Sequence, residues 1–252
     1  MKTSLAVRLA PWVATIALFV VWEVCCRVFN IPPFFLPPPT LIAKAFVDYW
    51  WPLTKHSAFT LSTTLIGFAM AVGFGLVLGL VVGWSRSIYA GLYPLMIGFN
   101  AIPKVAVVPI LVLWFGIYLK AKVIVVFLFA VFPVLINTYQ GVRECDKNML
   151  EVARSFRSSE RGVWQDVLLP FALPYIAAGI RLAIGRGLVG MVIAEFYTTI
   201  SGLGFMITKY ANVFEMDKTL VPVFVLMVLG VTLTSGLKRL ERRIAPWSHA
   251  NR

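Results

Sequence analysis

Apolar residues fill most of this chain in long blocks separated by short polar segments. The blocks fall at 10–29, 61–83, 91–117, 122–141, 171–196 and 219–238, each close to or above the roughly 20 residues an α-helix needs to cross a hydrocarbon core about 30 Å thick. Short alternating strands of barrel type are missing from the pattern. It therefore predicts an all-α integral membrane protein with about six transmembrane helices. Pro94, Pro103 and Pro109 interrupt the third block, which predicts a broken segment, with 88–100 as a separate interfacial or broken helix before the crossing proper. The stretch NIPPFFLPPP at 30–39 is too rich in proline for a helix and reads as a stiff extracytoplasmic strap after the first span. Lys2 and Arg8 precede the first apolar run, but no small-residue cleavage site follows, so this run is expected to stay as an uncleaved span. Two parts result: 1–60, the first helix with its strap, and 61–252, a core with a polar loop at 142–170. No internal repeat is visible.

Small residues recur at every fourth position of the second block, Gly67, Ala71, Gly75, Gly79 and Gly83, with a shorter series at Gly179, Ala183 and Gly187. This spacing makes a flat helical face where another backbone can come close, a packing device rather than chemistry.

Composition agrees with the block pattern. The chain is 60% hydrophobic and 13% charged, with a mean hydropathy of +0.84, whereas soluble domains are nearer half apolar and a quarter charged. A net charge of +12 raises the question of nucleic acid, but the basic residues sit in particular connecting segments rather than on a soluble face with exposed aromatics. Counting Lys and Arg in alternate segments puts thirteen on one side (Lys2, Arg8, Arg86, Arg143, Lys147, Arg154, Arg157, Arg161, Lys238, Arg239, Arg242, Arg243, Arg252) and six on the other (Lys44, Lys55, Lys120, Lys122, Lys209, Lys218). The richer side is expected to be cytoplasmic, with both termini and the 142–170 loop there. Cys25, Cys26 and Cys145 suit neither a disulfide framework nor a metal site, and His56 and His249 lack neighbours that would make a catalytic set. No phosphate-binding G-x-x-x-x-G-K-[ST] motif occurs, so the chain is not expected to be an enzyme or to hold a cofactor.

The polar loop has its own order. DKNMLEVARSF begins with Asp146 as an N-cap and continues with Met149, Val152, Ala153 and Phe156 at helical spacing. Ser158 or Ser159 can cap a second short helix carrying Val163, Trp164, Val167 and Leu168 on one side, before Pro170 and Pro174 end the pattern. Glu151, Glu160 and Asp166 alternate with Arg154, Arg157 and Arg161. Two short amphipathic helices joined by a bend could lie on the membrane surface or offer a docking surface to a soluble protein.

Here a resemblance becomes specific. Glu151, Ala153, Val167, Leu169 and Pro170 fall at the spacing of the EAA loop of ABC-importer permeases, with Val152 in place of the second alanine and Arg157 in place of the glycine. WEVCCRVFNIPPFFLPPPT, IPKVAVVPILVLWFGI, VIAEFYTTISGLGFMI and LERRIAPW are similar, at corresponding places over nearly the whole chain, to the nitrate/sulfonate/taurine-type branch. The resemblance implies a type I ABC-importer permease in a bacterial inner membrane, moving a small anionic solute inward by alternating access. It also implies a dimer of cytoplasmic ATPases that bind ATP and magnesium, an extracytoplasmic solute-binding protein and a second permease copy. Glu151, Val152, Ala153, Arg154, Phe156, Arg157 and Ser158 would then couple the chain to the ATPase. The resemblance implies that the family glycine at the place of Arg157 ends a helix in the left-handed conformation, which costs another residue roughly 1 kcal/mol: either Arg157 accepts that strain or the bend is made differently.

Several charges fall inside the apolar blocks. Glu23 and Arg27 are spaced to pair along one helix face. Lys104, beside Pro103, could snorkel or line a cavity. Arg181, Arg186 and Glu195 must face protein, water or one another. Lys104, Arg181, Arg186 and Glu195 are the candidates for a solute pathway, Arg181 ahead of Arg186. The rival is a secondary transporter driven by an ion gradient, with Glu195 and Glu23 carrying protons.

Overall fold

The structure, a computed structural model, describes residues 5–198 and 200–244. Its elements are α1 (Leu5–Val28), α2 (Pro39–Asp48), α3 (Trp50–Trp84), α4 (Arg86–Ala101), α5 (Lys104–Phe115), α6 (Leu119–Arg143), α7 (Lys147–Ser155), α8 (Glu160–Gly162), a π-helical turn at Val163–Leu168, α9 (Leu169–Thr198), α10 (Leu203–Ala211) and α11 (Met216–Ile244). Five stretches are long and apolar enough to cross a bilayer, and α4 with α5, bent by 89° at their junction, makes a sixth if counted as one span.

The small-residue faces set the helix directions. A Cβ on Gly67, Gly75, Gly79 or Gly83 would lie 2.7, 2.9, 2.7 and 2.6 Å from Val126, Val134, Thr138 and Val142 respectively, so α3 rests on α6 with almost no space between the backbones. The partner numbers rise together, hence α3 and α6 run parallel. Between two parallel spans the chain has to return across the membrane, which makes α4–α5 a crossing in spite of its break. On the other side of α6, Gly141 meets Tyr175, Gly179 meets Asn137 and Gly190 meets Phe129; these pairs run in opposite order, so α9 is antiparallel to α6. Gly230 approaches Leu188 while Arg181 reaches Glu241, making α11 antiparallel to α9. Phe19 and Trp22 of α1 lie against Phe224 of α11. The described ends of the chain and the α7 loop thus share one side of the bundle.

Three expectations need correcting. The second apolar block is part of a helix that starts at Trp50, so a boundary at 60/61 falls inside α3. After the proline strap, 39–48 forms a short helix, with Pro39 at its start, where a missing N–H is harmless. Pro170 and Pro174 do not end the helix of the polar loop: Glu160–Thr198 is one continuous rod. The π turn just before Pro170, where Leu169 N–H donates to Trp164 O, widens the helix at the point where a proline ring would strike the preceding turn. Glu23 and Arg27 do pair, at 2.6 Å, and Glu23 also accepts from Thr40 N and Oγ1, tying α1 to the start of α2.

Candidate functional site: the α7 hairpin and the charges inside the bundle

The polar loop folds as a helical hairpin below α6 and α9. Asp146 Oδ1 accepts from Asn148 N–H and starts α7, and Ser159 Oγ accepts from Gly162 N–H to start α8. Between them Arg157 has φ +54°. Ser158 N–H donates to Ala153 O at 3.1 Å and Arg157 N–H to Arg154 O at 2.8 Å, the pair of bonds that closes a helix through a left-handed residue. Arg157 accepts the strain.

α7 has two apolar rows. Leu150 and Ala153 pack inward on a cluster that includes Val163, Trp164, Val167 and Leu168, and the Trp164 ring lies 4.9 Å from that of Trp84 at the end of α3. Met149, Val152 and Phe156 face outward, with Phe156 83% exposed. Glu151, Arg154, Arg157 and Ser158 are exposed beside this outer row, and the nearest contact of opposite charges, Arg154 to Glu160, is a loose 3.9 Å. Of the seven coupling candidates, Ala153 is therefore turned into the fold and the other six line or flank the open face. Behind the hairpin, burial and the neighbouring Asp146 push the Cys145 thiol up from its ordinary range.

The intramembrane charges separate into three places. Arg181 Nη2 donates to Glu241 Oε1 at 3.2 Å and lies 3.1 Å from Oε2, which accepts no hydrogen bond among the described residues; the ion pair bridges α9 to α11, with Glu241 side-chain exposure of only 8%. Lys104 and Arg186 instead line one open groove of about 370 Å³, in which Val105, Gly185, Arg186 and Val189 are exposed. Arg186 forms no ion pair among the described residues. Glu195 is fully buried. Its oxygens accept from Thr60 Oγ1 and Gly204 N–H, both at 2.7 Å, while Thr60 Oγ1 accepts from Leu203 N–H at 2.9 Å and His56 Nδ1 from Gly202 N–H at 2.9 Å.

Side chains of α3 and α9 thus cap the first N–H groups of α10, which has no cap of its own at Gly202. Lys122, counted from sequence among the extracytoplasmic loop charges, is buried and donates to Ser201 O at 2.9 Å, its ammonium 4.7 Å from the Phe59 ring centre. Sequence reasoning missed His56, Thr60, Lys122 and α10; the one available signal was the run around Glu195, EFYTTISGLG, with a buried acid followed by two closely spaced glycines.

Comparison with known proteins places this architecture. Residues 71–246 match the family described as "Binding-protein-dependent transport system inner membrane component". The chain is 30% identical over 240 residues to the formylaminopyrimidine transport permease protein ThiX of Halalkalibacterium halodurans, covering 95% of this chain and 96% of that one. It is 30% identical to the taurine transport system permease protein TauC of Escherichia coli, covering 91% and 86%. Its fold matches a chain of the inward-facing MetNI methionine ABC transporter with a TM-score of 0.69 over 78% of this chain and 98% of that chain, at 17% identity. A bundle of spans with a polar helical hairpin at one end, matched along most of its length, makes this chain a member of the binding-protein-dependent transport inner membrane component family, an ABC-importer permease rather than an enzyme.

Proposed function

We propose that the chain is the membrane half of an importer for a small anionic organic solute of the sulfonate or taurine kind, working as a pair of identical copies. The α7 hairpin and both termini lie in the cytoplasm, where the hairpin seats on an ATPase that binds ATP and magnesium, and a solute-binding protein delivers from the other face. The observation that carries the coupling role is the outer row of α7, Met149, Val152 and Phe156. A large aromatic left open among charged neighbours has the composition of an interface core with a polar rim. The inner row joins α7 to α6 and α9, so movement of the hairpin is transmitted to the spans. The charge asymmetry supports the orientation, and the taurine permease among the relatives supports an anionic solute. An ion-driven mechanism is disfavoured because Glu195 is committed to Thr60 and Gly204, and Glu23 to Arg27.

Phe156→Ala and Glu151→Lys, each in the full chain assembled with its ATPase in nanodiscs, test the reading. Solute-stimulated ATP hydrolysis should fall at least about tenfold for Phe156→Ala, the loss of one interface hot spot, with the permease still folded and inserted. Unchanged stimulated hydrolysis in both variants would defeat the docking role.

A further inference from the structure

The break between α4 and α5 builds something that the packing of the bundle does not need. α5 is a 12-residue helix whose first residue is Lys104. Its N-terminal position is held by Pro103, whose side chain supplies no acceptor, and Ala106 N–H turns back to Pro103 O at 2.9 Å. Lys104 and Val105, at the positive end of this helix, line the groove together with Phe129, Gly185, Arg186 and Val189. Arg186 lies roughly 18 Å along α9 from Thr198 and roughly 26 Å from Leu169, at 1.5 Å per residue, which is hydrocarbon depth. Lys104 Nζ spends two donors on Asn100, O at 3.1 Å and Oδ1 at 3.2 Å, and is steadied 5.0 Å from the Phe132 ring centre. A third ammonium donor stays free.

Two cations and a helix N-terminus therefore converge with no carboxylate in the lining. Like charges on one groove repel, and an anion between them relieves the repulsion. A broken helix whose N-terminus meets the ligand near the bilayer centre is a general way for a transporter to hold an anionic group. Val105, Phe129 and Val189 give the rest of the groove an apolar wall suited to a short carbon substituent.

We propose that Lys104, Arg186 and the first turn of α5 form a binding subsite for the oxyanion head, sulfonate, phosphonate or carboxylate, of a small organic solute. This deepens the importer reading and rests on it. The Arg181–Glu241 bridge is outside the subsite and serves the α9–α11 contact.

The test uses the full chain in phosphatidylcholine nanodiscs, with ethanesulfonate as the probe and choline chloride at equal ionic strength as the control. Ethanesulfonate should raise the melting temperature and choline should not. Arg186→Gln and Lys104→Gln should each weaken the apparent ethanesulfonate affinity at least about tenfold, as expected for loss of a charge-assisted partner, whereas Arg186→Lys and Lys104→Arg should keep most of it if the charges bind the anion.

No ethanesulfonate-specific shift, or a shift equal to wild type in both Gln variants, would overturn the subsite. So would a shift produced only when phosphatidylglycerol is added, which would assign the anion to a lipid headgroup. Dissociation of the paired copies by Arg186→Gln, seen by light scattering, would assign Arg186 to a carboxylate of the second copy instead. Phe156→Ala should retain the ethanesulfonate shift while uncoupling hydrolysis. A missing shift together with normal uncoupling by Phe156→Ala therefore removes the subsite alone, and the importer reading stands.

Discussion

Gly202→Ala should unfasten the network at the end of α9. Gly202 has φ +109° and ψ 174°, a region open in practice only to glycine, and a side chain there costs about 1–3 kcal/mol of backbone strain. The added Cβ would also fall on the carboxylate of Glu195, which would have to leave Thr60 Oγ1 and Gly204 N–H, each now at 2.7 Å. Loss of at least one hydrogen bond to a buried charged group adds about 1.5–3 kcal/mol. The combined loss of about 2.5–6 kcal/mol corresponds to a fall in melting temperature on the order of 10 °C, read by fluorescence-detected size exclusion after heating in detergent. Gly236→Ala, where a Cβ meets nothing, is the control and should change little. In a Glu195→Ala background the collision is gone, so Gly202→Ala should then cost only the backbone part, about 1–3 kcal/mol. A melting temperature for Gly202→Ala within about 1 °C of wild type would sink the argument. Equal losses in both backgrounds would sink its electrostatic half.

Removing either partner of the α9–α11 bridge, as Arg181→Gln or Glu241→Gln, should destabilise the chain by about 1.5–3 kcal/mol, and the double variant should lose less than the sum of the singles; additive losses in thermal melts would show that the pair is not coupled. Arg157→Gly should relieve roughly 1 kcal/mol of left-handed strain while loosening the unfolded chain by a similar amount, so stability should stay within about 1 kcal/mol of wild type. If stability holds and solute-stimulated hydrolysis falls, the Arg157 charge contributes to the ATPase contact; full activity limits Arg157 to the bend.

Much of the architecture was legible in the chain because the bilayer imposes a length and a hydropathy on each span. Local signals could likewise be read without a fold: Asp146 as a cap, a second cap at Ser158 or Ser159, which the structure places at Ser159, the small-residue stripe of α3, the Glu23–Arg27 pair and the break at Pro103. Each depends on neighbours within a turn or two, where backbone geometry alone decides which groups meet.

Tertiary structure decided what depends on helices far apart in sequence. Thr60 and Lys122 carry no mark of importance in their own segments; they matter because α3 and α6 run parallel and bring them to the turn after α9. The pairing of Arg181 with Glu241, 60 residues away, could not be read from spacing along one helix. The uninterrupted run from Glu160 to Thr198 likewise needed the structure, since Pro170 is a break signal in sequence and becomes tolerable only through the π turn beside it. In each case the physical reason is the same: a buried polar or irregular group is stable only with its partners in place, and those partners come from whichever helices the packing brings alongside.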